Sequence, residues 1–403
     1  MMDPLLVAGL VVACFVAFNI GATTTGPAFG PAVGSGAITR VTAAALMSVF
    51  FFGGAWTIGR RVVNTLGEDL VGDPSVFTLE ASIVILFFIG GALLVGNLTG
   101  APASTSMTAV GSIAGFGLAL GQLDLAVVGE ILAWWVLSPV LGFWLSMMIG
   151  RYLYPRVDRV IAIDRTEGPL LIVDRSGPVP RPALEEHTTR REVVGVGVIV
   201  TIGCLMAFSS GTSNIANAVA PLVGSGDVAM NPAIGLGSVA VAVGAFTLGR
   251  RTMETLGNDI TDLPLTAAIL VAVVASTITV LLSVIGIPAS FVVIATMSIV
   301  GLGWGRATRT VTIADAVRGS ALQLSIGALT ADERSPTVGD PERRTAGSAD
   351  GPTQPIGEES AEEVPPSADL FDPSTTARII LMQNVVPIIA TGGSFLTFQL
   401  TVV

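Results

Sequence analysis

The sequence predicts an all-α integral membrane protein of the inverted-topology repeat transporter class, with broken or re-entrant helices, and three observations carry that prediction. Composition comes first: 51% of the 403 residues are hydrophobic, only 12% are charged and mean hydropathy is +0.76, whereas a soluble domain carries about 25% charged residues. The second observation is a repeat. Val33, Gly34, Ser35 and Gly36 recur 190 positions later (33 to 223) as Val223, Gly224, Ser225 and Gly226. Thr57, Gly59, Arg60, Arg61, Thr65, Leu66, Gly67 and Asp69 recur at the same spacing as Thr247, Gly249, Arg250, Arg251, Thr255, Leu256, Gly257 and Asp259. Pro102, Ala103 and Ser104 recur as Pro288, Ala289 and Ser290, four positions short of that spacing. Three ordered matches imply two homologous halves. Third, five expected crossings separate corresponding points, and an odd number turns the second half upside down in the bilayer, with a site near the midplane between the halves.

A crossing takes about 20 mostly apolar residues, fewer where the helix is broken or packed within protein. Ten stretches qualify: 4–20, 38–59, 77–96, 103–121, 127–149, 193–209, 228–249, 263–284, 287–305 and 378–401. The N-terminal stretch lacks a basic region and reads as the first span rather than a cleavable signal. The implied organisation is a first transmembrane repeat over 1–149, a cytoplasmic linker over 150–192, a second repeat core over 193–305, a polar, acidic, partly disordered cytoplasmic loop over 306–377, and a final helix over 378–403. Within the linker, VIAIDRTEGPLLIVDRSG alternates as a small amphipathic hairpin would.

All 20 basic residues are arginine, eight of them between Arg151 and Arg191 and seven between Arg306 and Arg378. With the N-terminus outside, both linkers and Arg250 with Arg251 fall inside, and Arg60 with Arg61 outside, as the positive-inside tendency requires. The expected location is the cell membrane, crossed many times, with the lipid bilayer as partner and no nucleic acid. The missing lysine and the acidic loop fit a salt-adapted, archaeal source. Cys14 and Cys204 lie in apolar runs and read as small hydrophobes.

The chemistry concentrates in the repeated stretches. Residues 19–36 read NIGATTTGPAFGPAVGSG and residues 209–226 read SSGTSNIANAVAPLVGSG. Helix breakers at this depth leave backbone groups unpaired unless protein covers them or they line a cavity. The expectation is a broken helix in each copy, whose exposed amides and dipole attract an anion without any cationic side chain. Thr23, Thr24 and Thr25 in one copy, and Ser213, Asn214 and Asn217 in the other, would add donors. The alternative is that these small residues let helices pack closely. Pro102 is placed to open a helix after Gly100, with Ser104, Thr105 and Ser106 in its first turn. The second-half match keeps Ser290 but follows it with Phe291 and Val292, a poorer face for an anion.

These stretches resemble the inorganic phosphate transporters of the PiT class. Their repeats carry Gly-Ala-Asn-Asp-Val-Ala-Asn-Ala, then Gly-Pro and Val-Gly-Ser, and later Pro-x-Ser-Thr-Thr-His. Gly211, Asn217, Ala218 and Pro221 match directly. The resemblance implies movement of phosphate, or in bacterial relatives sulfate, by alternating access, with Na+ or H+ as coupling ion and often a homodimer. The family's Asn-Asp pair is Thr23 with Thr24 in one copy and Ser213 with Asn214 in the other, so the acid expected to help hold sodium is absent from both. Its next asparagine is Pro27 or Asn217, and its histidine is Met107 or Val293. Asn214, Glu80 and Glu130 are left as cation-coupling candidates, the two glutamates reading equally well as solvated helix caps. Loss of the acids favours sulfate slightly, since phosphate can donate a proton to a carboxylate and sulfate near neutral pH cannot. An anion channel and a carrier fold without transport stay open. A membrane enzyme does not fit, because the spans contain no histidine and few carboxylates.

Overall fold

In lipid, backbone polar groups have to be satisfied within the protein, and helices do so locally. The computed structural model describes residues 3–34, 37–98, 104–161, 171–174, 181–184, 190–250, 265–308 and 373–402. The first half comprises α1 (Pro4–Gly34), α2 (Arg40–Thr57), α3 (Gly59–Asn64), α4 (Leu79–Leu98), α5 (Thr105–Ala119) and α6 (Leu125–Met148). A π turn over Ile149–Leu153 leads from α6 into α7 (Tyr154–Ile161). A hairpin follows as β1 (Leu171–Asp174) and β2 (Arg181–Leu184), antiparallel, with Leu171 opposite Leu184; only β1 lies in the 160–177 stretch where a hairpin was expected, and the first residues of that stretch belong to α7. The second half comprises α8 (Arg190–Gly224), α9 (Met230–Phe246), α10 (Leu265–Val284), α11 (Phe291–Ala307) and α12 (Pro373–Val402).

Helix starts follow ordinary capping chemistry. Thr39 caps α2, Ser104 caps α5, Asp124 caps α6 and Ser290 caps α11, each side-chain oxygen accepting a first-turn amide. Among the described residues five helices are long and apolar enough to cross a membrane, and a sixth if α2 and the segment Gly59–Asp69, bent by 62° at Ile58, count as one span. α5, α9 and α11, at 15, 17 and 17 residues, fall short of the ten full crossings expected. At about 1.5 Å per residue they reach roughly 23–26 Å, less than the ~30 Å hydrocarbon core. Among the described residues a broken helix is present at Ile58.

Breaks are absent where the motif predicted them. α1 runs unbroken to Gly34 through Pro27 and Pro31, and α8 runs to Gly224 through Pro221. A proline costs a helix one hydrogen bond, but neighbouring helices can satisfy what it frees. Ser82 of α4 donates to the carbonyl of Pro221 itself at 2.7 Å and ties α4 to α8 there, while the carbonyl the proline frees is that of Asn217, one turn earlier. The glycines serve close approach instead of breakage. A β-carbon on Gly21 would lie 2.0 Å from the Val241 carbonyl oxygen, and one on Gly244 would lie 2.2 Å from that of Phe18. Shifted by 190 positions (21 to 211, 54 to 244), the same crossing recurs: Gly211 at 2.0 Å from the Phe51 oxygen and Gly54 at 2.1 Å from that of Phe208. α1 of the first half thus packs on α9 of the second, and α8 on α2.

Helix directions show the inversion. Gly9 of α1 approaches Leu222 of α8, and Gly203 of α8 approaches Phe29 of α1, so these two copies of one element run antiparallel. α1 and α9, first and second in their halves, run in the same direction, since Gly21 meets Val241 and Thr25 meets Gly249. α6 and α11 are likewise parallel, with Gly301 against Phe143 and Gly305 against Met147. Repeats of equal orientation would reverse every one of these relations. Around this interlock lies a core that includes Ile20, Phe29, Met47, Phe51 and Leu66, all fully buried, while Leu132, Val136 and Trp144 of α6 face outward, as a lipid-facing helix requires.

Overpacking a well-filled contact costs about 1–3 kcal/mol or more. Gly21→Ala and Gly211→Ala, each driven against backbone, are expected to lower the thermal unfolding midpoint of the purified protein by similar amounts. Gly91→Ala, with nothing within 4 Å of the new carbon, is expected to leave it unchanged or raised. Equal midpoints for all three would refute the close-crossing account.

Candidate anion-binding site

α5 and α11 begin inside the protein, and their starts are tied together by α8. Ser104, at φ −72° and ψ 109°, accepts the Met107 amide, and Ser290, at φ −93° and ψ 103°, accepts that of Val293. Between them stands Ser213. Its Oγ donates to the Ala289 carbonyl at 2.9 Å and accepts the Ala289 amide at 3.1 Å. Ser106 donates to the same carbonyl at 3.0 Å and lies 3.3 Å from the Ser213 hydroxyl. Thr105 Oγ1 donates to Asn214 Oδ1 at 2.7 Å, Asn217 Nδ2 donates to that oxygen at 3.2 Å, and Asn214 Nδ2 donates to Ser210 Oγ at 3.0 Å. Trp135 of α6 pins the turn before α11 by donating Nε1–H to the Pro288 carbonyl at 2.7 Å.

Ser104, Ser106, Ser213 and Asn217 are buried, Asn214 nearly so, and Thr105 and Ser290 are partly exposed. None of these hydrogen-bond partners is a charged side chain. What charge the network has comes from two helix N-termini, each equivalent to roughly half a positive charge. One acceptor is left over: Asn217 Oδ1 is fully buried and receives no hydrogen bond. The cluster sits near the middle of the α1–α8 crossing, between the contacts of Gly9 with Leu222 and Gly203 with Phe29. Chemically, an oxyanion here would draw on first-turn amides and on hydroxyls that now donate across elements, to Ala289 and Asn214, and could turn to it, with one oxygen suited to a donor or a cation.

Of the residues predicted for the site, Ser104, Thr105, Ser106, Ser213, Asn214, Asn217 and Ser290 come together. Thr23, Thr24 and Thr25 stand apart from this cluster, on α1. Thr23 donates to the Asn19 carbonyl at 2.9 Å, Thr24 to that of Ile20 at 2.7 Å and Thr25 to that of Gly21 at 2.6 Å. These hydroxyls are spent within their own helix, and because α1 does not break there, no helix N-terminus opens beside them. Glu80, in the first turn of α4, and Glu130, on α6, are both exposed and stand outside the buried cluster. Arg60 stacks on Trp56 and donates to Asn231 Oδ1 at 2.7 Å, and Arg61 donates to the Val284 carbonyl, so both tie the first half to the second. Arg251, Asp259, Asp262 and His187 lie outside the described residues.

Sequence reasoning missed Trp135, Ser210 and the Ala289 backbone. Ala289 was within reach, since it lies inside the repeated Pro-Ala-Ser; nothing in the sequence singles out Trp135 from its neighbour Trp134.

The comparisons agree with this architecture. The sulfate permease CysP of Bacillus subtilis is 30% identical over 74% of this chain and 77% of its own. A protein of Pyrococcus furiosus provisionally named as a phosphate permease is 25% identical over 77% of this chain and 89% of its own. Among solved structures, a sodium-dependent phosphate transporter superposes with a TM-score of 0.66 at 18% identity, covering 99% of both chains, and so shares the fold. The model of the phosphate transporter family matches residues 20–331. The chain belongs to that family of multi-pass membrane transporters and is not an enzyme.

Proposed function

We propose that this protein carries a tetrahedral oxyanion by alternating access, with phosphate as the first reading and sulfate as the second. The observation that carries the proposal is the meeting of two capped helix N-termini with Ser106, Ser213 and Asn214 in a buried, uncharged cluster between inverted halves. Inverted halves supply two related arrangements of one molecule, which is what rocking around a central site needs. Donors without carboxylates attract an anion and impose no like-charge penalty.

Family membership favours phosphate, and Asn217 Oδ1 adds to it: a protonated phosphate oxygen can donate to that acceptor, and sulfate has no proton to offer. Sulfate is favoured by the sulfate permease relative and by the missing acids. For the coupling ion we propose sodium held by carbonyl and hydroxyl oxygens, Asn214 and Asn217 among them. Oxygen ligands without charge hold a cation more weakly than a carboxylate does.

The experiment is uptake of labelled phosphate, and separately sulfate, into proteoliposomes with imposed sodium or proton gradients. Ser213→Ala and Ser106→Ala are expected to weaken oxyanion affinity about 10–100-fold, the equivalent of one hydrogen bond to a charged group. Thr24→Val, whose hydroxyl serves its own helix, is expected to change it by less than about threefold, well under the same hydrogen-bond scale. Asn217→Ala separates the substrates, weakening phosphate uptake more than sulfate if its oxygen accepts the phosphate proton. Uptake of neither anion would remove the transport reading. Uptake indifferent to both gradients would remove the coupling and favour a channel.

A further inference from the structure

At the linker end of the α6–α11 contact, two arginines are buried. Arg151, in the π turn that continues α6, is 9% exposed and donates to the Thr308 carbonyl at the end of α11. Arg306, in the last turn of α11, is 6% exposed, and its guanidinium lies 3.9 Å from the ring centre of Tyr154. Tyr154 is itself buried in an apolar cluster with Ala267, Val271 and Leu302. The glycine spacing that presses α6 against α11 brings these groups together: a β-carbon on Gly305 would lie 2.1 Å from the Met147 oxygen and 3.0 Å from the Arg151 nitrogen.

Closing the helix explains Arg151, whose donor meets the C-cap carbonyl of α11, and leaves Arg306 unexplained. α5, the counterpart of α11 in the first half, ends with its C-cap amide bonded in the same way and has no basic residue in its last turn. Stacking on Tyr154 satisfies one face of the Arg306 guanidinium but none of its N–H donors, which lie in the plane of the group. Among the described residues no carboxylate or other hydrogen-bond acceptor partners Arg306. A nearly buried guanidinium with unused planar donors matches an oxyanion with two oxygens to offer. Beside it the short helix α7 places Arg156 in an exposed position where the chain leaves the apolar spans, and such juxtamembrane basic groups attract anionic headgroups.

We infer that Arg306, held over the Tyr154 ring, forms a second anion site at the linker end of α6 and α11, separate from the central cluster, that takes a phosphate group. Two sources share this chemistry, the headgroup of an anionic phospholipid and free inorganic phosphate. The inference does not depend on which anion the protein carries.

The test is native mass spectrometry of the full chain in detergent, titrated in turn with phosphatidylglycerol, phosphatidylcholine and inorganic phosphate. Thermal unfolding is followed in parallel. The wild-type protein is expected to retain one phosphatidylglycerol in preference to phosphatidylcholine and to unfold at a higher temperature with it. Arg306→Gln is expected to reduce that retention at least tenfold, and Arg306→Lys to restore part of it, because charge returns without the planar fork. If inorganic phosphate alone raises the midpoint, and does so in Ser213→Ala but not in Arg306→Gln, the site stands with the free anion as occupant. Equal retention of the two lipids by the wild-type protein, together with no effect of phosphate that depends on Arg306, would overturn the inference. If Arg306→Gln fails to fold, Arg306→Lys takes its place in the phosphate comparison.

Discussion

Four backbone carbonyls lie where a β-carbon would have to be, and the architecture depends on that constraint. Phe18, Phe51, Phe208 and Val241 present oxygens to Gly244, Gly211, Gly54 and Gly21 at distances no side chain could occupy. In lipid there is little hydrophobic drive between helices, so close van der Waals approach carries much of the association. Because each crossing joins one half to the other, neither half buries its own faces alone. The exchange recurs further along, where α5 packs on α12 through Gly115 and Thr391 and α6 packs on α11 through Gly301 and Phe143. Two inverted, interlocked halves follow from where the chain can do without side chains.

That interlock brings the starts of α5 and α11 to the flank of α8. Each start is capped by its own serine, and α8 bridges them through Ser213, whose hydroxyl both donates to and accepts from Ala289. Pseudo-symmetry would give α1 an equivalent duty. It is not carried out, because Thr23, Thr24 and Thr25 turn their hydroxyls onto their own helix and Pro27 stands where the second copy has Asn217. One copy of the motif supplies polar contacts to the buried cluster, while the other supplies packing. An asymmetric site in a symmetric frame explains how polar groups could be lost from the first copy without loss of the fold.

Charge is arranged by the same logic of depth. The central cluster uses partial charges of helix ends and neutral donors, which cost little to bury when hydrogen-bonded. Full charges lie toward helix ends: Arg60 stacks on Trp56, and Arg151 and Arg306 close the α6–α11 contact. Glu80 and Glu130 are exposed, where an ionised side chain can meet water or headgroups.

The sequence by itself determined the membrane class, the two halves, their inversion and the polar stretches that matter, because composition, a fixed spacing and an odd number of spans are properties of the chain read in one dimension. It also singled out Ser104, Thr105, Ser106, Ser213 and Asn214, which the fold brings together. Only the tertiary structure decided what the glycines and prolines do. Gly21, in one stretch with Pro27, reads as a break, yet the helix continues, and a neighbouring helix fills the space a side chain on Gly21 would have taken. The same holds for the threonines, whose hydroxyls are equally able to bind an anion or the carbonyl one turn back. Which they do depends on whether the helix opens there, and that is settled by the helix packed against it.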